Sequence, residues 1–309
     1  MVRRVAISVL AGAVWLVTGA EMLWVQQNGR GRRLEGAEAF VYKHAGRDLK
    51  LYVFQRTENA GGDPRPAIVF FHGGGWRGGN PTQFVAQCRY LASRGMVAIT
   101  VEYRLGSTDD AKVADCVADA KSAMRWVRAH AEEMNIDPTR IAAGGGSAGG
   151  HLAAAVATLP EFDDPHDDTS VSCRPNAALL FNPALDLTAA GFEVEADNPR
   201  IAQLHGRLGG KPEALSPLWH VSAETAPTII FHGIDDRTVP FSQAEDFADA
   251  MEQAEIHCEL NGYDGAGHGF FNYGRGDDRA FVETMRQADE FLADLGWLEG
   301  EPTIDSFEP

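Results

Sequence analysis

The sequence predicts an α/β protein built on a doubly wound, mostly parallel sheet flanked by helices. Three observations carry that expectation. Runs such as Ala67-Ile68-Val69-Phe70-Phe71 and Met96-Val97-Ala98-Ile99-Thr100-Val101 are apolar without interruption, as strands buried on both faces must be. Between such runs lie stretches with apolar residues three and four apart, the signature of helices with one buried face. Strand-like and helix-like segments alternate along the chain, which places helices on both sides of one sheet.

Taken in order, Leu49-Lys50-Leu51-Tyr52-Val53-Phe54 alternates as a half-buried strand does, and Glu58 to Pro66 is a turn-rich loop. A helix is expected from Thr82 to Ser93, closed by Gly95, with Cys88 on its apolar face beside Phe84 and Leu91. Val113, Val117, Ala120, Met124, Val127, Ala131 and Met134 mark one face of a long helix. Asn135 to Arg140 turns the chain into the short strand Ile141-Ala142-Ala143, and the alanine-rich stretch Ala148 to Thr158 is the next helix. Later strands are Ala177-Ala178-Leu179-Leu180-Phe181, Thr228-Ile229-Ile230-Phe231 and His257-Cys258-Glu259-Leu260. A helix begins near Ser242 with Glu245 as its capping-box partner, and another carries Phe281, Met285, Ala288, Leu292 and Leu295 on one face. Residues 182–227 lack a core strand and are expected to form a small cap or pocket wall.

Composition narrows the possible partners. The 309 residues carry 44 Asp and Glu against 27 Lys and Arg, a net charge of −17, which repels phosphate backbones and argues against nucleic acid. Arg3 and Arg4 precede an apolar run from Val5 to Ala20, and Thr18-Gly19-Ala20 is an acceptable cleavage site. Residues 1–20 therefore read as a secretory signal peptide or, if Leu23-Trp24-Val25 is counted, as an N-terminal anchor. Either reading puts the rest of the chain outside the cytoplasm, secreted or periplasmic. Residues 21–38 read as a linker, 39–299 as one folded domain and 300–309 as a C-terminal tail. Cys88, Cys116, Cys173 and Cys258 show no zinc-ligand spacing; export would permit disulfides without choosing a pairing. Asp163, Asp164, Asp167 and Asp168 offer carboxylates to a hard cation, but without EF-hand spacing, so a solvated loop is the expectation. No metal and no cofactor is expected.

The chemistry sits in glycine-rich segments that follow strand-like runs. In Gly145-Gly146-Ser147-Ala148-Gly149 the serine belongs on a strained strand-to-helix turn that tolerates only small neighbours. His72-Gly73-Gly74-Gly75, directly after the first apolar run, can bring bare backbone N–H groups close to an oxyanion. A serine hydroxyl becomes a nucleophile only when a histidine takes its proton and a carboxylate orients that histidine. In doubly wound sheets such groups gather at the carboxyl ends of strands. Phe231-His232-Gly233-Ile234-Asp235-Asp236 and Gly265-Ala266-Gly267-His268-Gly269 lie there, in the order Ser147, Asp236, His268. Asp235 is the rival of Asp236.

With these residues in view, the chain resembles the α/β-hydrolase superfamily, on the HGGG-type esterase/lipase branch, over about residues 39–299. Phe71-His72-Gly73-Gly74-Gly75-Trp76, Tyr103-Arg104-Leu105, Gly145-Gly146-Ser147-Ala148-Gly149-Gly150-His151, the Asp235-Asp236 loop and Gly267-His268-Gly269-Phe270 fall in that family's order. Hormone-sensitive-lipase-like members usually carry an acidic residue before the serine, where this chain has Gly146. It is more similar to secreted carbohydrate esterases of the feruloyl and acetyl-xylan type, and to kynurenine formamidases. The resemblance implies an α/β-hydrolase fold with Ser147 as nucleophile, His268 as general base and acid, and Asp236 as orienting carboxylate; the family spacing from His232 favours Asp236 over Asp235. It implies an oxyanion hole from the N–H groups of Ala148, Gly74 and Gly75, with Gly73 as a substitute.

Around that core, His72 is expected to pin the glycine loop, His151 to pack or cap, and His232 and His257 to be structural. Trp76, Trp219 and His220 are candidates for the substrate pocket. The expected activity is hydrolysis of short-chain, acetyl-type carboxylic esters, small molecules or polysaccharides, by an acyl-enzyme mechanism. The rival readings are an amidase or peptidase using the same triad, a lipase, and an inert hydrolase fold used for binding.

Overall fold

The computed structural model describes residues 34–56 and 62–308; the apolar run Val5–Ala20, with the signal or anchor reading placed on it, lies outside them. Eight strands form one sheet: β1 (Glu38–His44), β2 (Asp48–Phe54), β3 (Arg65–Phe71), β4 (Val97–Val101), β5 (Ile136–Gly146), β6 (Ala177–Phe181), β7 (Thr228–Gly233) and β8 (Cys258–Tyr263). Their order is β1-β2-β4-β3-β5-β6-β7-β8. β1 pairs with β2, and β2 with β4, antiparallel, while every pairing from β4 through β8 is parallel. The helices are α1 (Val85–Ser93), α2 (Val113–Ala129), α3 (Ala148–Thr158), α4 (Pro199–His205), α5 (Ser242–Gln253) and α6 (Arg279–Asp294). Among the described residues no helix is long and apolar enough to cross a membrane.

Alternation along each central strand divides the core in two. Ala67, Val69 and Phe71 of β3 join α2, α3 and α5 on one face, through residues such as Val117, Leu152 and Phe247. Ile68 and Phe70 point the other way and meet α1 and α6 at Tyr90, Leu91, Phe281 and Phe291. With a helix layer on each side, β3 is buried along its whole length. That explains why its sequence is apolar without a break.

Several boundaries moved, each for a local reason. The helix expected from Thr82 starts as a single 3-10 turn, Pro81–Phe84, whose N-cap Asn80 accepts the Thr82 N–H at 2.9 Å and which runs directly into α1. α2 ends at Ala129; Ala131 and Met134 stay buried but lie in the turn beyond it. β5 begins at Ile136, earlier than its apolar core suggests, with a register break against β3. β1 was not foreseen as a strand, since an exposed edge needs no continuous apolar run. The expected capping box at Ser242 does not form: Phe241 is the N-cap, and the Ser242 hydroxyl donates to Glu193 at 2.6 Å.

Two other segments differ from expectation. The acidic loop is mostly engaged by the protein itself rather than solvated. Asp163 and Asp167 pair with Arg125 of α2, and Asp164 lies 2.6 Å from Lys43 of β1. Only Asp168 stays in solvent, accepting from the Ser170 N–H at 3.0 Å. The C-terminal tail packs onto the domain, with Ile304 buried and Phe307 edge-on to Tyr90 at 5.3 Å. All four cysteines are free thiols, and Cys88 is fully buried, as expected. Burial pushes the Cys88 thiol well above its usual pKa.

Candidate active site

Ser147 stands between β5 and α3 with φ 55° and ψ −121°, a backbone conformation that side chains seldom adopt. The turn is held by backbone on both sides. The Ser147 N–H donates to Phe181 O of β6 at 2.9 Å, and Ser147 O accepts from the His151 N–H at 2.9 Å. Its neighbours must be small: a Cβ at Gly149 would overlap the carbonyl oxygen of Phe71, and one at Gly146 would strike the Phe271 ring. Ala148 opens α3, so its N–H has no acceptor within the helix.

Asp236 and His268 arrive from the ends of β7 and β8. Nδ1–H of His268 donates to Asp236 Oδ2 at 2.6 Å, and Nε2 lies 2.8 Å from Ser147 Oγ. The Asp236 bond fixes the tautomer, leaving Nε2 free to accept the serine hydroxyl. Asp236 is buried, and its Oδ1 accepts the N–H groups of Thr238 at 2.8 Å and Val239 at 3.1 Å. Burial alone would raise its pKa. His232, His268 and the Thr238 N–H outweigh that and hold the carboxyl well below the usual range, so it stays ionised. Asp235 is exposed and uses its N–H on Ala266 O, so the structure brings Asp236, not its rival, to the histidine.

The glycine loop lies against the serine. An added Cβ at Gly73 would be 3.4 Å from the Ser147 Cβ. Gly74, at φ +124°, turns the loop over the Gly78 carbonyl, and its own carbonyl accepts the N–H groups of Arg77 and Gly78, each at 3.1 Å. His72 pins the loop as expected. Its Nδ1–H donates to Gly73 O at 2.8 Å, its carbonyl accepts the Tyr103 hydroxyl at 2.7 Å, and burial lowers its pKa to about 4. The Gly73 N–H is taken by Gln83 Oε1 at 2.6 Å, which removes Gly73 as a substitute donor. Among the described residues the N–H groups of Gly74 and Gly75 have no intramolecular acceptor.

The pocket candidates fare differently. Trp76 is only 6% exposed, and its indole N–H goes to His151 Nδ1 at 3.2 Å, so it belongs to the core rather than to an open wall. Trp219 is 60% exposed, and the ring of His220 bonds Glu213 O at 3.1 Å; neither hydrogen-bonds to the triad. Both sit on the short turn Pro217–His220 in the 182–227 segment. His151 joins that segment to α3 through Leu215 O at 2.8 Å. Sequence reasoning missed Gln83, Asn182 and Asn272; His232, expected to be structural, has its Nε2 3.0 Å from Val239 O and 3.4 Å from Asp236 Oδ2. Isolated amides carry no motif; only His232, four residues before Asp236, was visible in the spacing.

The chain is similar to known esterases. The family model described as BD-FAE matches residues 52–251. The probable carboxylic ester hydrolase LipM of Mycobacterium tuberculosis is 30% identical over 238 residues, covering 71% of this chain and 53% of LipM. The acetylxylan esterase of Xylanibacter ruminicola is 29% identical over 244 residues, 76% of this chain and 46% of that enzyme. The chain thus spans about half the length of the curated relatives it matches. Esterase 2 of Thermogutta terrifontis, in a structure phosphonylated by sarin, is 49% identical with a TM-score of 0.83, covering 88% of this chain and 99% of that one. Its butyrate-bound structure is 50% identical with a TM-score of 0.82 and the same coverage. By its sheet, its motifs and these matches, the chain belongs to the BD-FAE family, on the esterase/lipase branch of the α/β-hydrolases.

Proposed function

We propose that the chain is a serine carboxylic-ester hydrolase, with residues 39–299 as its catalytic domain, acting on short-chain esters. The observation that carries this reading is the continuous line from Asp236 Oδ2 through His268 to Ser147 Oγ, at 2.6 and 2.8 Å, on a strained turn facing the glycine loop. Ser147 attacks the ester carbonyl as His268 Nε2 takes its proton. The ionised Asp236 stabilises the imidazolium. Negative charge on the carbonyl oxygen is met by the N–H groups of Ala148, Gly74 and Gly75. Collapse of the tetrahedral species breaks the bond to the alcohol, which leaves with the proton from His268. Water, activated by the same histidine, then releases the acid and regenerates Ser147.

Acetyl-type esters of extracellular carbohydrate fit the family resemblance and the export reading of residues 1–20, and a relative bearing the name acetylxylan esterase supports them. The butyrate-bound structure of esterase 2 supports a short acyl chain. The test is hydrolysis of p-nitrophenyl esters from acetate to decanoate by the wild type and Ser147→Ala. The expected result is a peak at the shortest acyl groups and a loss of roughly 10⁴-fold or more in the variant, as for other triad serines. Equal turnover by the variant would overturn the nucleophile, and a maximum at decanoate would overturn the acyl class.

A further inference from the structure

We infer that Gln83 and Asn272 form an amide clamp that sets the oxyanion loop and the histidine loop at a working distance from each other. The inference rests on the ester-hydrolase reading and deepens it. The Gly73 N–H donates to Gln83 Oε1 at 2.6 Å, Gln83 Nε2–H donates to Asn272 Oδ1 at 2.9 Å, and Asn272 Nδ2–H donates to Gly269 O at 2.8 Å. One end of this line is the glycine loop, which lies against Ser147 and whose next two N–H groups have no intramolecular acceptor among the described residues. The other end is the residue that follows His268. Gly269 is held on its other side too, since its N–H donates to Asn182 Oδ1 at 3.0 Å.

The polarity of the clamp is determined at its ends. A backbone N–H at Gly73 requires an oxygen from Gln83, and a backbone carbonyl at Gly269 requires an NH₂ from Asn272. The inner halves of the two amides must then meet as donor and acceptor, so every bond in the line depends on the others. Gln83 lies on the 3-10 turn Pro81–Phe84, and Asn272 lies on the loop beyond β8, far apart in the chain. Asn272 is buried, which lengthens the life of the contact and gives water little access to replace it. Oxyanion donors and a general base must act in one transition state, and a displacement of ~1 Å between such groups can cost about 10²-fold. Gln83 and Asn272 touch no reacting atom, so they are positioning residues.

The polarity supplies the test. In Gln83→Glu the new carboxylate can still accept from Gly73, but it presents a second acceptor to Asn272 Oδ1. A rotated Asn272 would instead turn its oxygen onto Gly269 O. Protonation of the new carboxyl restores the donor. The facing Asn272 oxygen favours that neutral form, and the charged or titratable groups of the facing loop are Arg275, which donates to His268 O, and His268 itself. With p-nitrophenyl acetate, kcat of Gln83→Glu relative to wild type should fall about 10²-fold at pH 8, with KM within about twofold, and the ratio should climb about 10-fold or more by pH 5. A ratio that is flat with pH in a protein that melts like the wild type overturns the clamp alone. A wild type inactive on all p-nitrophenyl esters overturns the ester-hydrolase reading and the clamp with it. If Gln83→Glu does not fold, Gln83→Leu, Asn272→Leu and the double variant decide the matter. A double variant no slower than the worse single one supports a shared unit, and additive losses or an unchanged kcat overturn it.

Discussion

The serine elbow and the 182–227 segment touch each other through α3, yet they are held in opposite ways. The elbow is a backbone structure. Ser147 bonds the backbones of Phe181 and His151, and Gly149 lies so close to the β3 carbonyls that no side chain fits. The 182–227 segment has no strand of its own, and side chains, from outside it and from within it, hold its backbone. His151 reaches Leu215 O, and Gln243 Oε1 accepts the N–H groups of Leu185 at 2.8 Å and Asp186 at 3.0 Å. Ser216 Oγ accepts the Leu187 N–H at 2.8 Å. The geometry of Ser147 is thereby insulated from most side-chain changes, while the 182–227 segment can be loosened by one substitution or by protons.

Three measurements would break or sharpen this contrast. The largest effect is expected at Gly149→Ala. Its methyl group has nowhere to go but into the Phe71 and His72 carbonyls, so urea unfolding should show a loss of about 4 kcal/mol or more, or no folded protein. A loss under about 1 kcal/mol would mean that the elbow yields more readily than its contacts imply.

Next comes the pH dependence of the 182–227 segment's anchor, His151. Burial lowers His151 from 6.5 to about 4, partly offset by its bond to Leu215 O. The unfolded chain therefore takes up this proton first as pH falls. Stability is full above about pH 6.5 and declines down to about pH 4, by about 3 kcal/mol for this residue. His72, lowered to about 4 in the same way, adds a decline of the same sign. Urea titrations across that window should show a shallower fall for His151→Gln than for the wild type, from a lower starting stability. An identical fall would remove His151 from the account.

The smallest effect belongs to Gly206→Ala, at the end of α4. With φ −61° and its nearest neighbour, Ala202 O, 3.4 Å from an added Cβ, this glycine can carry a methyl group. The melting temperature should change by no more than about 0.5 kcal/mol of stability implies. A large loss would show that the segment is packed as tightly as the elbow.

Legibility in the sequence follows the same division. The rank of Asp236 over Asp235 came from the family resemblance; the elbow, the glycine loop and the parallel centre of the sheet could all be read from local pattern. Each depends on a steric or periodic demand placed on adjacent residues. The edge strand β1, the engagement of Asp163, Asp164 and Asp167 by Arg125 and Lys43, and the burial of Trp76 could not be read in this way. A carboxylate or an indole is the same residue whether it meets solvent or a partner brought in from another element.

By itself, then, the sequence determined which residues can form a strained turn, which runs must be buried on both faces, and where along the chain a serine, an acid and a histidine follow strand ends. Only the tertiary structure decided that Asp236 Oδ2 and Ser147 Oγ sit on the two nitrogens of one imidazole, that Gly73 is spent on Gln83, and that Gln83 meets Asn272, 189 residues away in the chain. Backbone strain and apolar periodicity are local and are written in neighbouring residues. Hydrogen-bond pairing between distant side chains exists only once the strands have been set side by side.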